Sequence, residues 1–218
     1  MIQLIKLQIQ YQIKNIRFYI MFFSFSLIFS LLFYSEFNIK EPGNIIKFMI
    51  SINALISIGF LYLSLLVSPL IIVFPKISYR AKLLQARRAL GVSAFIFGFV
   101  HAFYAFNFSV GGFKGLALSP LSYVVTVTFG GISLFILFLL ALTSFDYAVG
   151  KLTFRIWKKL HRLIYVAGVF ILMHAFLLGS RFRELSLSSL IFYPALLFLG
   201  ILEMLTIVKF TWAKRGKI

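Results

Sequence analysis

The sequence predicts an all-α membrane protein, a bundle of six transmembrane helices with N- and C-termini in the cytoplasm. Three observations predict it. Of 218 residues, 61% are hydrophobic and 12% charged, and the mean hydropathy is +1.01, whereas a soluble domain is about half apolar. Six apolar runs approach the ~20 residues needed to cross about 30 Å of hydrocarbon. Basic residues alternate between dense and sparse connections, the pattern that positive-inside insertion leaves.

Residues 1–15 form a basic segment expected at the membrane surface. Its apolar residues match a strand spacing at Leu7, Ile9, Tyr11 and Ile13 and a helical one at Ile2, Ile5, Ile9 and Ile13, so its structure is open. The first span, Ile16–Tyr34, is too long for the core of a signal peptide and lacks a small-residue cleavage site, and it reads as a retained span. The remaining spans are Ile45–Phe74, Ala89–Phe108, Leu121–Leu142, Leu160–Leu178 and Ser189–Val208. Residues 16–208 therefore make one transmembrane domain, and 209–218 a basic cytoplasmic tail. Between the fourth and fifth spans, Phe145 to Lys159 carries Lys151, Arg155, Lys158 and Trp157, as expected of an interfacial helix with its indole at headgroup level.

Seventeen Lys and Arg fall on the side of both termini: three before or at the start of the first span, five between the second and third, five between the fourth and fifth, and four after the sixth. The other side has five, Lys40, Lys47, Lys114, Arg181 and Arg183. This bias places the termini in the cytoplasm of a multi-pass plasma (inner) membrane protein. It also accounts for the net charge of +17 without nucleic acid as a partner; membrane lipid is the partner the charge implies. The chain has no cysteine, which excludes disulfides, thiolate-held iron–sulfur clusters and covalently attached c-type haem.

The three histidines carry the functional reading. His101 lies about 18 Å into the third span and His174 about 21 Å into the fifth, at 1.5 Å per residue. Both helices run outward from the cytoplasm, so the two imidazoles reach similar depth in the outer half of the bundle. Ionisable residues inside a membrane are rare and usually functional. Two facing histidines suit a six-coordinate haem iron, which favours electron transfer over oxygen chemistry. Gly91, Gly98, Ala167 and Gly168 would give room for a flat macrocycle, though for the glycines alone close helix packing is the better account.

The run Arg87-Arg88-Ala89-Leu90-Gly91-Val92-Ser93-Ala94-Phe95 followed by His101 resembles the third span of the ferric-reductase-like transmembrane family. Leu142-Thr143-Ser144, Gly150, Trp157-Lys158-Lys159-Leu160-His161-Arg162-Leu163-Ile164-Tyr165 and His174 resemble its fourth-to-fifth segment in order and spacing, and Ser68-Pro69-Leu70 is a lesser match. The similarity covers about Ile56 to Gly179 and is greatest to the YedZ/MsrQ haem-binding membrane subunits. It implies b-type haem on His101 and His174. It also implies electrons passing from a cytoplasmic flavin reductase or quinol to an extracytoplasmic acceptor, such as a periplasmic methionine-sulfoxide reductase. The third-to-fourth connection, Ser109 to Pro120, lacks the Arg-Pro-Tyr associated with MsrQ, which leaves that acceptor open. With ten residues after Val208, no fused flavin or nicotinamide domain is expected, so electrons would enter from another molecule.

A second haem is an open alternative at His161, about 20 Å toward the cytoplasm from His174, where relatives with two haems place an inner ligand. The position thirteen residues before His101 is Arg88, not histidine. Arg87 or Arg88 would then pair with haem propionates, unless both are topology-setting charges. His161 is otherwise an interfacial residue or part of a flavin or quinone site. Glu203 in the sixth span reads as snorkelling or paired with a nearby Lys or Arg. The face of Phe145 to Lys159 is also a candidate docking surface for the electron donor. These features suggest an oxidoreductase component rather than a self-contained enzyme. The alternatives are a metal-ion (ferric) reductase core and a non-redox, transporter-like protein; the latter would more often show internal repeats, which are not evident. No phosphate loop or nucleophile motif is present.

Overall fold

The computed structural model describes residues 2–179, 182, 184 and 186–215, with side chains from 16 onward apart from 154 and 213–215. Most of the described residues are helical, with no strand among them. The elements in order are α1 (Ile2–Asn38), α2 (Pro42–Val73), α3 (Arg80–Tyr104), a π-helical turn (Ala105–Val110), α4 (Gly112–Ala117), α5 (Leu121–Leu142), α6 (Asp146–Lys151), α7 (Phe154–His161), α8 (Leu163–Leu178) and α9 (Leu187–Arg215). Six helical stretches are long and apolar enough to cross a membrane, α7 and α8 jointly supplying the fifth.

Differences from the expected spans follow from what hydropathy measures. The fourth span agrees at both ends. α3 begins nine residues before Ala89, at Arg80, because backbone hydrogen bonding continues through the basic stretch that an apolar window excludes. α9 likewise runs past Val208 to Arg215. Residues 2–15, open between strand and helix, continue the first span as one helix. The fifth span breaks at Arg162, separating α7 from α8. The connection between the third and fourth spans holds the short α4, entered through Gly111 and Gly112 at φ 77° and 67°, a left-handed turn that disfavours residues with a Cβ. Arg181 and Arg183 lie outside the described residues.

Lipid is as apolar as leucine, so membrane helices associate through close packing and hydrogen bonds rather than hydrophobic burial. α3 is central, touching α1, α2 and α5; α8 packs on α5, and α9 on α2. The shared core comprises Leu61 and Leu65 of α2, Ala94 of α3, Leu137 and Leu140 of α5, and Ile164 and Ala167 of α8. Serines fasten it. Ser57 donates to the Ala94 carbonyl at 2.8 Å, Ser64 to that of Arg87 at 3.1 Å, and Ser133 to that of Ala167 at 3.2 Å. Ser24 of α1 and Ser93 of α3, both fully buried, meet at 2.7 Å.

Gly91 and Gly98 belong to this packing. A Cβ on Gly98 would lie 3.1 Å from Ser57 Oγ, and one on Gly91 3.5 Å from Ser64 Oγ. Both glycines face α2, and Gly168 approaches Leu65 of the same helix. At Gly91 and Gly98 the missing side chain lets α3 approach the serines of α2 closely.

Candidate functional site

His101 and His174 are brought together. Their ring centroids are 6.2 Å apart with an interplanar angle of 76°. His101 is carried by α3 and His174 by α8, and both helices pack on α5. His101 Nδ1 lies 2.9 Å from the Ile50 carbonyl oxygen of α2, and His174 Nδ1 2.8 Å from the Thr126 carbonyl oxygen of α5. A carbonyl oxygen only accepts, so Nδ1 carries a proton in each ring, and in the neutral imidazole it is then Nε2 that keeps the lone pair. Neither Nε2 has a hydrogen-bond partner among the described residues. This is the arrangement of a ligating histidine: the outer nitrogen fixed by a main-chain acceptor, the inner one basic and free.

Among the described residues no group of three or more His, Cys, Asp or Glu could hold a metal ion. The site thus offers two nitrogen donors, a number suited to a metal that brings its remaining ligands with it.

His161 and Arg88 lie at a second level. The His161 ring lies against Trp157 at a centroid distance of 4.2 Å, tilted by 31°, and its Nε2 is 3.2 Å from Thr143 Oγ1. The Arg88 guanidinium lies 5.0 Å from the centre of the Trp157 ring and 3.3 Å from Asp146, which also binds Arg17 at 2.9 Å. Trp157 Nε1 donates to the Thr143 carbonyl at 3.0 Å, satisfying an acceptor at the end of α5. The half-buried indole is thereby tied to the end of α5. Arg87 donates to Ser68 Oγ at 2.6 Å. Because His101 meets His174 while Arg88 meets Trp157, α3 and the α7–α8 pair run in the same direction, as the sequence required.

Glu203 Oε1 is buried without a hydrogen-bond partner. Lys209, six residues on, donates instead to the Ile72 and Val73 carbonyls at 3.1 and 3.0 Å, closing the end of α2. The pairing considered for Glu203 is absent from its nearest basic neighbour on α9.

Residues 52–173 match the family described as ferric reductase like transmembrane component. The chain belongs to this family. The segment matched to the ferric reductase like family contains His101 and His161 and ends one residue before His174. Over 115 residues the chain is 36% identical to proteins named protein-methionine-sulfoxide reductase heme-binding subunit MsrQ from Brucella ovis, Brucella canis and Brucella suis. The match covers 51% of this chain and 48% of each relative, so it spans about half the length of these curated proteins.

Three participants were not singled out from sequence. Ile50 and Thr126 act through main-chain carbonyls, which every residue type has, so no sequence signal marks them. Gly130 stands against the His174 ring; a glycine inside a span is visible in the sequence, but which neighbour it faces is not.

Proposed function

We propose that this chain is a transmembrane electron-transfer protein holding one b-type haem between His101 and His174. The single observation that carries this reading is the histidine pair with both Nδ1 atoms committed to carbonyls. With 6.2 Å between their ring centroids, His101 and His174 would hold the haem iron between them, each through a ring nitrogen. Haem held by two histidines supplies one-electron exchange with no open coordination position. His101 and His174 bind and orient it. The Ile50 and Thr126 carbonyls fix both ring tautomers, and α3 and α8 set the depth. The name of the Brucella relatives, a heme-binding subunit, supports the same cofactor.

For the inner level we propose no second haem. His161 Nε2 faces the Thr143 hydroxyl, and Arg88 is engaged with Asp146 and Trp157 where a second ligand would stand. His161, Arg87 and Arg88 then line the cytoplasmic end, where electrons enter from a flavin reductase or quinol. The acceptor lies on the α4 side of a plasma (inner) membrane, and a methionine-sulfoxide reductase is the partner to test first, because the relatives are named as subunits of one.

The test is a reduced-minus-oxidised absorption spectrum of haem-reconstituted, detergent-purified protein with haem counted per chain. Sharp low-spin b-type bands, about one haem per chain, and loss of those bands in His101→Ala and His174→Ala are expected. A folded, reconstituted protein without such bands overturns the haem reading and favours a transporter-like role, and two haems per chain overturn the single-haem reading.

A further inference from the structure

A Cβ built on Gly130 would lie 2.9 Å from His174 Nδ1, 3.0 Å from Cε1 and 3.3 Å from Cγ. Real Cβ atoms essentially never come within 3.0 Å of such neighbours, so any side chain at 130 must displace the ring. The ring also belongs where it is: its Nδ1 donates to the Thr126 carbonyl at 2.8 Å. Thr126 precedes Gly130 by four residues on α5, so in the helix that same oxygen accepts the Gly130 N–H. The side chain four residues on flanks this oxygen, and at Gly130 that flank is open. The carbonyl is thereby exposed to a second donor, and the imidazole fills the gap.

We infer that Gly130 is a positioning residue for His174: the missing side chain gives the imidazole access to the Thr126 carbonyl and so fixes its tautomer and orientation. This rests on the reading of His174 as a haem ligand. The neighbouring Gly131 provides the contrast, since a Cβ there would meet nothing within 4 Å. The arrangement is also asymmetric. The acceptor for His101 is Ile50, and the residue four positions on is Ala54, which keeps a Cβ. Glycine is required on the His174 side alone.

Alanine is the better helix former by about 1 kcal/mol, so Gly130→Ala carries no intrinsic penalty for α5, and what must move is a side chain rather than backbone. The variant is expected to fold while its ligand is misplaced. Outer-shell partners of metal-binding histidines typically set affinity within 10–100-fold. Gly130→Ala should accordingly weaken haem binding by about 10- to 100-fold and convert low-spin bands to high-spin ones, while Gly131→Ala keeps both affinity and bands.

A second readout needs no haem. In the haem-free protein, nitrogen-15 NMR of histidine should report an Nδ1-protonated tautomer for His174 that is lost in Gly130→Ala and kept in Gly131→Ala, with His101 unchanged. Unaltered tautomer, bands and affinity in Gly130→Ala would overturn the inference and leave the haem reading standing. Unmodified protein without histidine-ligated haem would overturn the haem reading, while the tautomer measurement still judges Gly130. Should Gly130→Ala fail to fold, the double variant with His174→Ala decides: recovery of folding supports the clash, and no recovery overturns it.

Discussion

The imidazoles of His101 and His174 are useful because something else has already taken their other nitrogen. A histidine ring free to rotate or change tautomer presents Nε2 only part of the time; a carbonyl on Nδ1 removes both freedoms. The level of Arg88 and Trp157 is held differently, through charge. Asp146 joins Arg17 of α1 and Arg88 of α3, but its side chain is 68% exposed, where solvent screens the attraction. Exposed pairs contribute about 0–1 kcal/mol. Asp146→Ala is therefore expected to leave the low-spin bands intact and to lower stability by no more than about 1 kcal/mol, measured by thermal unfolding in detergent. A loss of several kcal/mol would show that the bridge holds α1 in place.

Helix pairs hold through small residues. Between α2 and α3, glycine and serine bring the backbones close enough for hydroxyls to reach carbonyls across the interface: Ser57 to Ala94 and Ser64 to Arg87. Gly98 lies within this seam, with Ser57 Oγ at 3.1 Å and Leu134 Cδ1 at 3.6 Å from an added Cβ. Gly98→Leu should separate α2 from α3 and α5 and cost about 1–3 kcal/mol, the usual penalty of overpacking. Gly59→Ala, with nothing within 4 Å of its Cβ, should be neutral or slightly stabilising. Thermal unfolding of the two variants distinguishes the seam from glycine content as such; equal stability would refute it. Hydropathy showed that these elements exist, but not which face of each is crowded.

Across the whole molecule, charge sets orientation. The dense basic connections and the termini share one side, and the sparse connections the other, from which both termini are inferred to be cytoplasmic. The absence of cysteine from this sequence makes the test direct. In intact cells a membrane-impermeant maleimide is expected to label Lys114→Cys, on α4, and to spare Lys151→Cys, at the end of α6, until the membrane is permeabilised. The opposite pattern would invert the assignment and place the histidine pair in the cytoplasmic half.

Six spans, the shared depth of His101 and His174 and the parallel course of their helices were legible in the chain. Each depends on quantities that add along one dimension: apolar length, charge count, and rise per residue. Family-specific spacing around His101, Trp157 and His161 was legible for the same reason. The direction in which a side chain faces, and what it meets there, depends on helix rotation and on neighbours distant in sequence. Only the tertiary structure could decide that Gly91 and Gly98 face serines of α2, that Arg88 meets Asp146 and Trp157, and that Lys209 closes α2 instead of pairing with Glu203. The acceptors of the two Nδ1 atoms are peptide carbonyls, chemically the same at every residue, so only the assembled helices distinguish Ile50 and Thr126 from the rest of the backbone.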